Sequence, residues 1–492
     1  MRPTARPPGI LLLVAALLGG CTNEGEPPPV GRLVFPIALG LSPSGEHLFV
    51  ANSNFDLRYN AGSLQSYDVD VLNQELDRAC RDVPPSERDA CGIIPEEDVR
   101  DDLTEAIRPV QGLLVDQVRI GSFADGMAVA PYGDAARVYL PVRSDANLTY
   151  VDVVGGQFDC GPGAPDELGR RCDDAHRRGE DEAATLRGIE LPADPVGVAV
   201  GPLADVVSPD RTAPEGNYVL FAHRDGRASL FFDEPEGDST APVLVHTLSG
   251  LPSELVDITV DPRTRVAWAP SAREPVLARV GIAFDGATRE PDRSFLFDAG
   301  GAYLSGIDTG SASRGDTRLL RFDPRPEVER AYILARRPRA LLIADTSDAS
   351  AAVPVLDVVP VGFGPSRLEI ATIDVSDPED DASPPMLRTL AFVSCFDTRD
   401  LYVIDVDLGE LVGIVRSLGG PFELVVDPGR GKPSEGGYGP RVYVADFRTS
   451  VVRVVDLGPM AACLRGATPD DGECSPQLLG VVGRPVAVRE LR

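Results

Sequence analysis

The 492-residue sequence predicts an all-β protein, a seven-bladed β-propeller of four-stranded antiparallel blades with two disulfide-pinned insertions. Three observations carry this expectation. Apolar residues alternate in short runs along the whole chain, the period of strands that bury a face, and no long 3.6-residue period interrupts them. A run ending in a small or acidic residue and then proline recurs with its proline at 43, 131, 202, 262, 324, 378 and 428. Three further strand-like runs follow each proline, and tandem units of four antiparallel strands are the sequence form of propeller blades.

The chain opens with Arg2 and Arg6 ahead of the apolar run ILLLVAALLGG at 10–20. Such a run is too short to span a bilayer and suits an export signal. Leu18-Gly19-Gly20-Cys21 resembles the bacterial lipobox. That resemblance implies a signal peptide at 1–20 and lipid attachment at Cys21; residues 21–33 then read as a tether, and the repeated units place the propeller over 34–492. Thr22, by resemblance to enterobacterial sorting, points to the outer membrane, on its periplasmic or cell-surface face.

The first unit reads IALGLSP, HLFVANS, SLQSYDV and, beyond an insertion at 71–108, VDQVRIG. The second reads MAVAP, RVYLPVR, NLTYVDV and, beyond an insertion at 154–187, RGIELP. The third to seventh units are more compact, and the last closes with LLGVVG near the C-terminus. Proline ends the first run of each unit because it cannot donate to a ladder and presets a turn. With a first strand at one end of the chain and a fourth at the other, the termini can meet and close the ring, leaving no open edge. A β-sandwich pair or a six- or eight-bladed ring is the alternative, and RPVAVREL at 484–491 could add a strand.

Six of the eight cysteines form local pairs, Cys80/Cys91, Cys160/Cys172 and Cys463/Cys474, each in a polar, turn-rich stretch. In an exported chain these read as disulfides. Zinc is the competitor, but there is no CxxC, and the four histidines at 47, 176, 223 and 246 are scattered. Cys395 ends the apolar run LAFVSC and reads as a buried small hydrophobe.

RVYVADFRTSVVRVVDL with the preceding GGPFELVVDP, and FPIALGLSPSGEHLFVANS, resemble the YVTN-type β-propeller repeat. The resemblance is good in the first, sixth and seventh units, looser in the second to fourth and poor in the fifth. It implies a fold more than an activity, because such repeats serve in surface-layer proteins, binding modules and lactonase-like enzymes.

The formal net charge of −29 repels nucleic acid and anionic headgroups, so nucleic acid is not an expected partner and membrane contact is expected through the lipid alone. All basic residues but Lys432 are arginine, a bias of codon usage. No GxSxG, GxxxxGK[ST] or HExxH is present, and no catalytic residue is assigned. DVSDPEDD at 374–381 is carboxylate-dense but lacks the glycine and the terminal glutamate of a calcium loop, so it reads as a solvated turn.

Loops leading into the innermost strands should ring one mouth of the axial channel. They carry Asp125, Asp194, Glu254, Arg367 and Glu423, a mostly acidic ring that could hold a cation, an amine or a basic peptide. No resident cofactor is expected, although a divalent cation could enter. The chain therefore reads as a monomeric, lipid-anchored binding or scaffold module at the bacterial envelope, with an envelope protein or small ligand as partner. A lactonase-like or metal-assisted hydrolase is the alternative, which leaves enzymatic activity open.

Overall fold

A computed structural model describes residues 25–486 except 100–103, 134, 162–166, 180–189, 207–214, 235–240, 285–294, 306–315, 349–351, 381–383 and 467–473. Cys21 and the expected signal peptide lie outside the described residues, as does most of the suggested 484–491 strand.

The fold is an all-β propeller built of four-stranded antiparallel meanders. The first blade is Pro36–Leu41, His47–Asn52, Gly62–Asp68 and Leu114–Ile120. The second is Ala128–Tyr132, Ala135–Val142, Asn147–Val154 and Gln157–Asp159. The third spans Pro195–Pro202 to Val243–Ser249. The fifth spans Pro365–Asp374 to Glu410–Val415, and the last spans Pro421–Asp427 to Gln477–Val482.

Blade number differs from the sequence expectation: there are six blades, not seven. The fourth is a double-width, eight-stranded sheet running from Thr259–Val260 to Asp316–Phe322. Its two four-stranded halves are joined where Tyr303, Leu304 and Ser305 pair in parallel with Ala352, Val353 and Pro354. The joining strands, Phe295–Ser305 and Ala352–Pro360, have 11 and 9 residues and are long enough to meet at their ends. A proline period counts meanders, whereas edge-to-edge pairing between two of them leaves no mark on it.

The second strands are nearly continuous apolar runs. All residues of Asn217–His223 and Arg441–Asp446 are buried. A middle strand packed between two neighbouring blades has no solvent face, so its alternation is lost. The core accordingly lies between blades: Leu48 and Val50 of the first share one cluster with Tyr443, Val452 and Val454 of the last. That cluster closes the ring.

All three disulfides form as the spacing suggested, Cys80–Cys91, Cys160–Cys172 and Cys463–Cys474, and Cys395 is a buried free thiol. The insertions enter the sheets. Residues 69–80 form a helix, α1 (Val69–Cys80), capped by Asp68, whose carboxylate accepts from the Val71 amide at 2.9 Å. Its buried stripe of Val69, Leu72, Leu76 and Cys80 has helical spacing over too few turns to stand out in the sequence.

Beyond α1, Gly92–Pro95 and Ile107–Val110 add in parallel to the outer edge of the last blade, Gly92 and Ile93 facing Val481 and Val482. Arg441 of that blade reaches both Asp77 carboxylate oxygens at 2.9 Å and Asn73 at 2.6 Å. Asn73 in turn donates to the Tyr443 hydroxyl at 2.8 Å. Gly480 permits this approach, because a β-carbon there would lie 2.9 Å from Leu76 and 3.0 Å from the Cys80 sulfur. The first blade's insertion is thus a latch on the last blade.

The second insertion behaves similarly. Arg170–Arg171 pairs with the outer strand of the first blade, and Arg177–Arg178 with Asn147–Val154. Among the described residues the second blade's outer strand is Gln157–Asp159, whereas the sequence points to the run at 187–192. Of that run, residues 190–192 form no strand and 187–189 lie outside the described residues. The third disulfide pins a short helix, α2 (Gly458–Leu464), in the connection to the final strand.

Candidate binding site at the channel mouth

The loops leading into the innermost strands carry residues with left-handed backbone, among them Phe35 (φ 53°), Phe123 (58°), Asp194 (51°), Glu254 (59°), Gly364 (65°) and Ser417 (65°). Non-glycine residues adopt this region at a cost, so its recurrence marks one loop design repeated around the axis. A second device follows within the strands. Register shifts between Pro36 and Ala38, Val196 and Val198, Pro365 and Arg367, and Pro421 and Glu423 mark a bulge at the same height in four blades. A bulge re-aims side chains, and three of the bulged residues, Ile37, Ser366 and Phe422, line the mouth.

The mouth is a cavity of about 310 Å³ with two unlike walls. One wall is aromatic. Phe447 packs on Phe35, Phe55 and Phe422 with ring centroids 5.0, 5.4 and 5.8 Å apart, and Phe123 meets Phe55 edge-on at 6.0 Å. The other wall is cationic, formed by Arg143, Arg224, Arg318, Arg336 and Arg367. Arg143 is held by Asp194 at 2.9 Å and Asp125 at 3.7 Å. Arg367 is held by Glu423 at 2.9 Å and Asp125 at 3.4 Å, and lies 4.5 Å over the Phe422 ring.

Arg224, Arg318 and Arg336 are less well compensated. Arg318 has Asp316 at 2.8 Å, whereas Arg224 and Arg336 have no carboxylate within ion-pair distance among the described residues. The Arg224 Nε is buried without an acceptor, and the Arg336 Nε donates to the Pro365 carbonyl at 3.1 Å. Burial, followed by the like charge of Arg336, holds the Arg318 guanidinium below its ordinary proton affinity; Asp316 opposes this and Arg224 adds to it. Three guanidiniums brought together at a cavity wall form an electropositive spot on an acidic protein, and bidentate donors of this kind suit carboxylate, sulfate or phosphate oxygens.

The axial channel also holds charged pairs. Arg321 bonds Asp257 at 2.6 Å and lies 3.9 Å from Glu369. Protein surrounds Glu369, yet its side chain keeps 37% exposure. Burial raises its carboxyl to about 7; Arg321 opposes the rise, and Glu423 and Asp257 reinforce it. A Ser–His contact does occur, with the His223 Nε2 2.8 Å from the Ser229 hydroxyl, but both residues are fully buried inside the third blade. Burial lowers that imidazole to about 4, and its Nδ1 meets the backbone carbonyl of Ala193. The pair is structural.

Of the five side chains expected at the mouth, Asp125 and Arg367 line it, and Glu423 and Asp194 anchor its arginines. Glu254 is exposed beside it, its amide donating to the Arg224 carbonyl at 2.7 Å. The sign differs from the acidic ring expected. Arg143, Arg224, Arg336 and most phenylalanines sit on or beside the turns joining second and third strands, which open onto the same mouth. A visible signal was available, since PVR143 and AHR224 end second strands alike. Among the described residues no group of three metal-ligating side chains occurs. In the carboxylate-dense loop, Asp374 accepts from the amides of Ser376 and Met386 at 2.9 Å, as a turn does.

No protein-family profile matches the chain, the YVTN-type repeat included, and no curated protein matches it. Solved structures do. A protein assigned provisionally as a 6-phosphogluconolactonase from Bacteroides uniformis aligns at 14% identity over 76% of this chain and 83% of its own, with a TM-score of 0.43. A similarly assigned protein from Bacteroides fragilis aligns at 11% identity over 78% and 85%, also at 0.43. Apo AztD from Citrobacter koseri aligns at 14% identity over 79% and 88%, at 0.36.

Proposed function

We propose that the protein is an exported binding module, tethered through a lipidated Cys21 to the outer membrane, whose mouth holds a small anion bearing an apolar face. The observation that carries this reading is the cavity itself, with guanidiniums along one wall and phenyl rings along the other. An acid group of the ligand would sit on Arg224, Arg318 and Arg336, while a flat apolar or pyranose face would lie on Phe55, Phe422 and Phe447. Calorimetric titration tests it: galacturonate and benzoate should bind, weakening as salt rises, and neutral galactose should bind far less. Failure of both anions to bind sinks the reading. The anchor has its own test, since mass spectrometry of the mature N-terminus should find a diacylglyceryl group on Cys21, and an unmodified thiol there removes the tether.

A hydrolase on this fold is the second reading, favoured by Glu369. A carboxyl titrating at about 7 beside Arg321 suits a general base that takes a proton from water as water attacks a lactone carbonyl. Hydrolysis of an aldonolactone should then rise with pH through about 7 and fall at least about 100-fold in Glu369→Gln, the usual worth of a general base. Wild-type protein without turnover would leave binding alone.

A further inference from the structure

A second cavity of about 480 Å³ lies beside the mouth, lined by Asn60, Arg119, Ser122, Ser144, Arg171 and Arg177 among others. The two share their walls residue by residue. Phe55 faces the mouth and Leu57 the groove; Phe123 faces the mouth and Ser122 the groove; Arg143 faces the mouth and Ser144 the groove. The partition is well tied. Ser144 donates to the Ser122 carbonyl at 2.8 Å, the Phe123 amide to the Ser53 carbonyl at 2.9 Å, and Asn54 to the Ser122 hydroxyl at 3.2 Å.

Charge in the groove is also one-sided. Among the described residues its one lining carboxylate is Asp145. Arg119, Arg171 and Arg177 have no carboxylate within ion-pair distance among the described residues, and the Arg119 Nε is buried without an acceptor. Arg171 and Arg177 come from the second insertion, which pairs with the first and second blades and is held by Cys160–Cys172. A chain with net charge −29 thus brings eight arginines together along one path from the axis outward.

We propose that mouth and groove form one track for an acidic oligosaccharide, the mouth taking a terminal sugar and the groove the units that follow. This rests on the anion-binding reading of the mouth. Alternating needs are met along the path. Guanidiniums suit the carboxylate or sulfate on each unit, phenyl faces suit a pyranose ring, and the amide and hydroxyls of Asn60, Ser122 and Ser144 suit its hydroxyl groups. Long nucleic acid is disfavoured by the charge of the remaining surface, whereas a short acidic chain fits within the arginine path.

Calorimetry at fixed ionic strength, with galacturonate, tetragalacturonate and a tetraglutamate peptide as probes, tests the track. Wild-type protein should bind tetragalacturonate at least tenfold more tightly than galacturonate. The triple variant Arg119→Gln/Arg171→Gln/Arg177→Gln should lose that advantage while binding galacturonate as before. Equal affinity for monomer and tetramer overturns the track and leaves the mouth standing. A tighter fit for tetraglutamate overturns the saccharide assignment. Binding of none of the probes overturns track and mouth together.

Discussion

Arg137→Ala should cost the protein about 3–5 kcal/mol of stability, read as a lowered urea midpoint with an unchanged slope. Arg137 is 1% exposed and holds two carboxylates, Asp152 at 2.6 and 2.9 Å and Asp233 at 2.7 and 2.9 Å. Asp233 belongs to the third blade and is wholly buried, and the Tyr139 hydroxyl donates to it at 2.6 Å. Tyr132 and Tyr150 cover the guanidinium at 3.6 and 4.5 Å. Burial already pushes the Asp233 carboxyl up, and Arg137 is the chief opposing influence. Alanine would strand that carboxylate between two blades and open a cavity under two rings. Because the penalty is largely that of an orphaned charge, Arg137→Met with Asp233→Leu should recover more than half of it. A double variant as unstable as the single one would show that packing, not charge, sets the cost.

Arg224→Gln/Arg318→Gln should weaken binding of galacturonate or benzoate at least about 100-fold, since hydrogen bonds to a charged group contribute roughly 1.5–3 kcal/mol each. Stability should move the other way. Arg318 is held by burial and by like charges in a position that disfavours its proton, so neutral glutamines should leave the melting temperature unchanged or higher. Lost affinity with retained stability separates a binding cluster from a structural one. If Arg318 were a structural ion pair of Asp316, the variant would melt lower and the anion titration would change little.

The fold was legible in the sequence because its units repeat. Proline after each first strand, and buried runs such as RVYVAD and YVLFAH, show where four-stranded meanders begin and how they pack. What linked meanders together was not legible. Pairing of Tyr303–Ser305 with Ala352–Pro354 joins two strand ends that are far apart in sequence and carry no special residues. The latch strands at 92–95 and 107–110 are four residues each, too short for a period. At the mouth, Asp125 and Arg367 were found because loop position alone places them. The arginine wall was missed because Arg143, Arg224 and Arg336 come from the other set of turns, and because net charge says nothing about where cations gather.

The latch joins the beginning of the chain to its end, with Asn73 and Tyr443 in contact across 370 residues. During synthesis α1 and its two strands emerge well before the sheet edge and Arg441 of the last blade that they pair with. Until then Leu72, Leu76 and Ile93 lack the part of their cover that Tyr443, Leu479 and Val482 supply, and the strand at 92–95 has no sheet edge to join. A nascent or prematurely terminated chain therefore displays an apolar, sticky flank that the finished molecule hides.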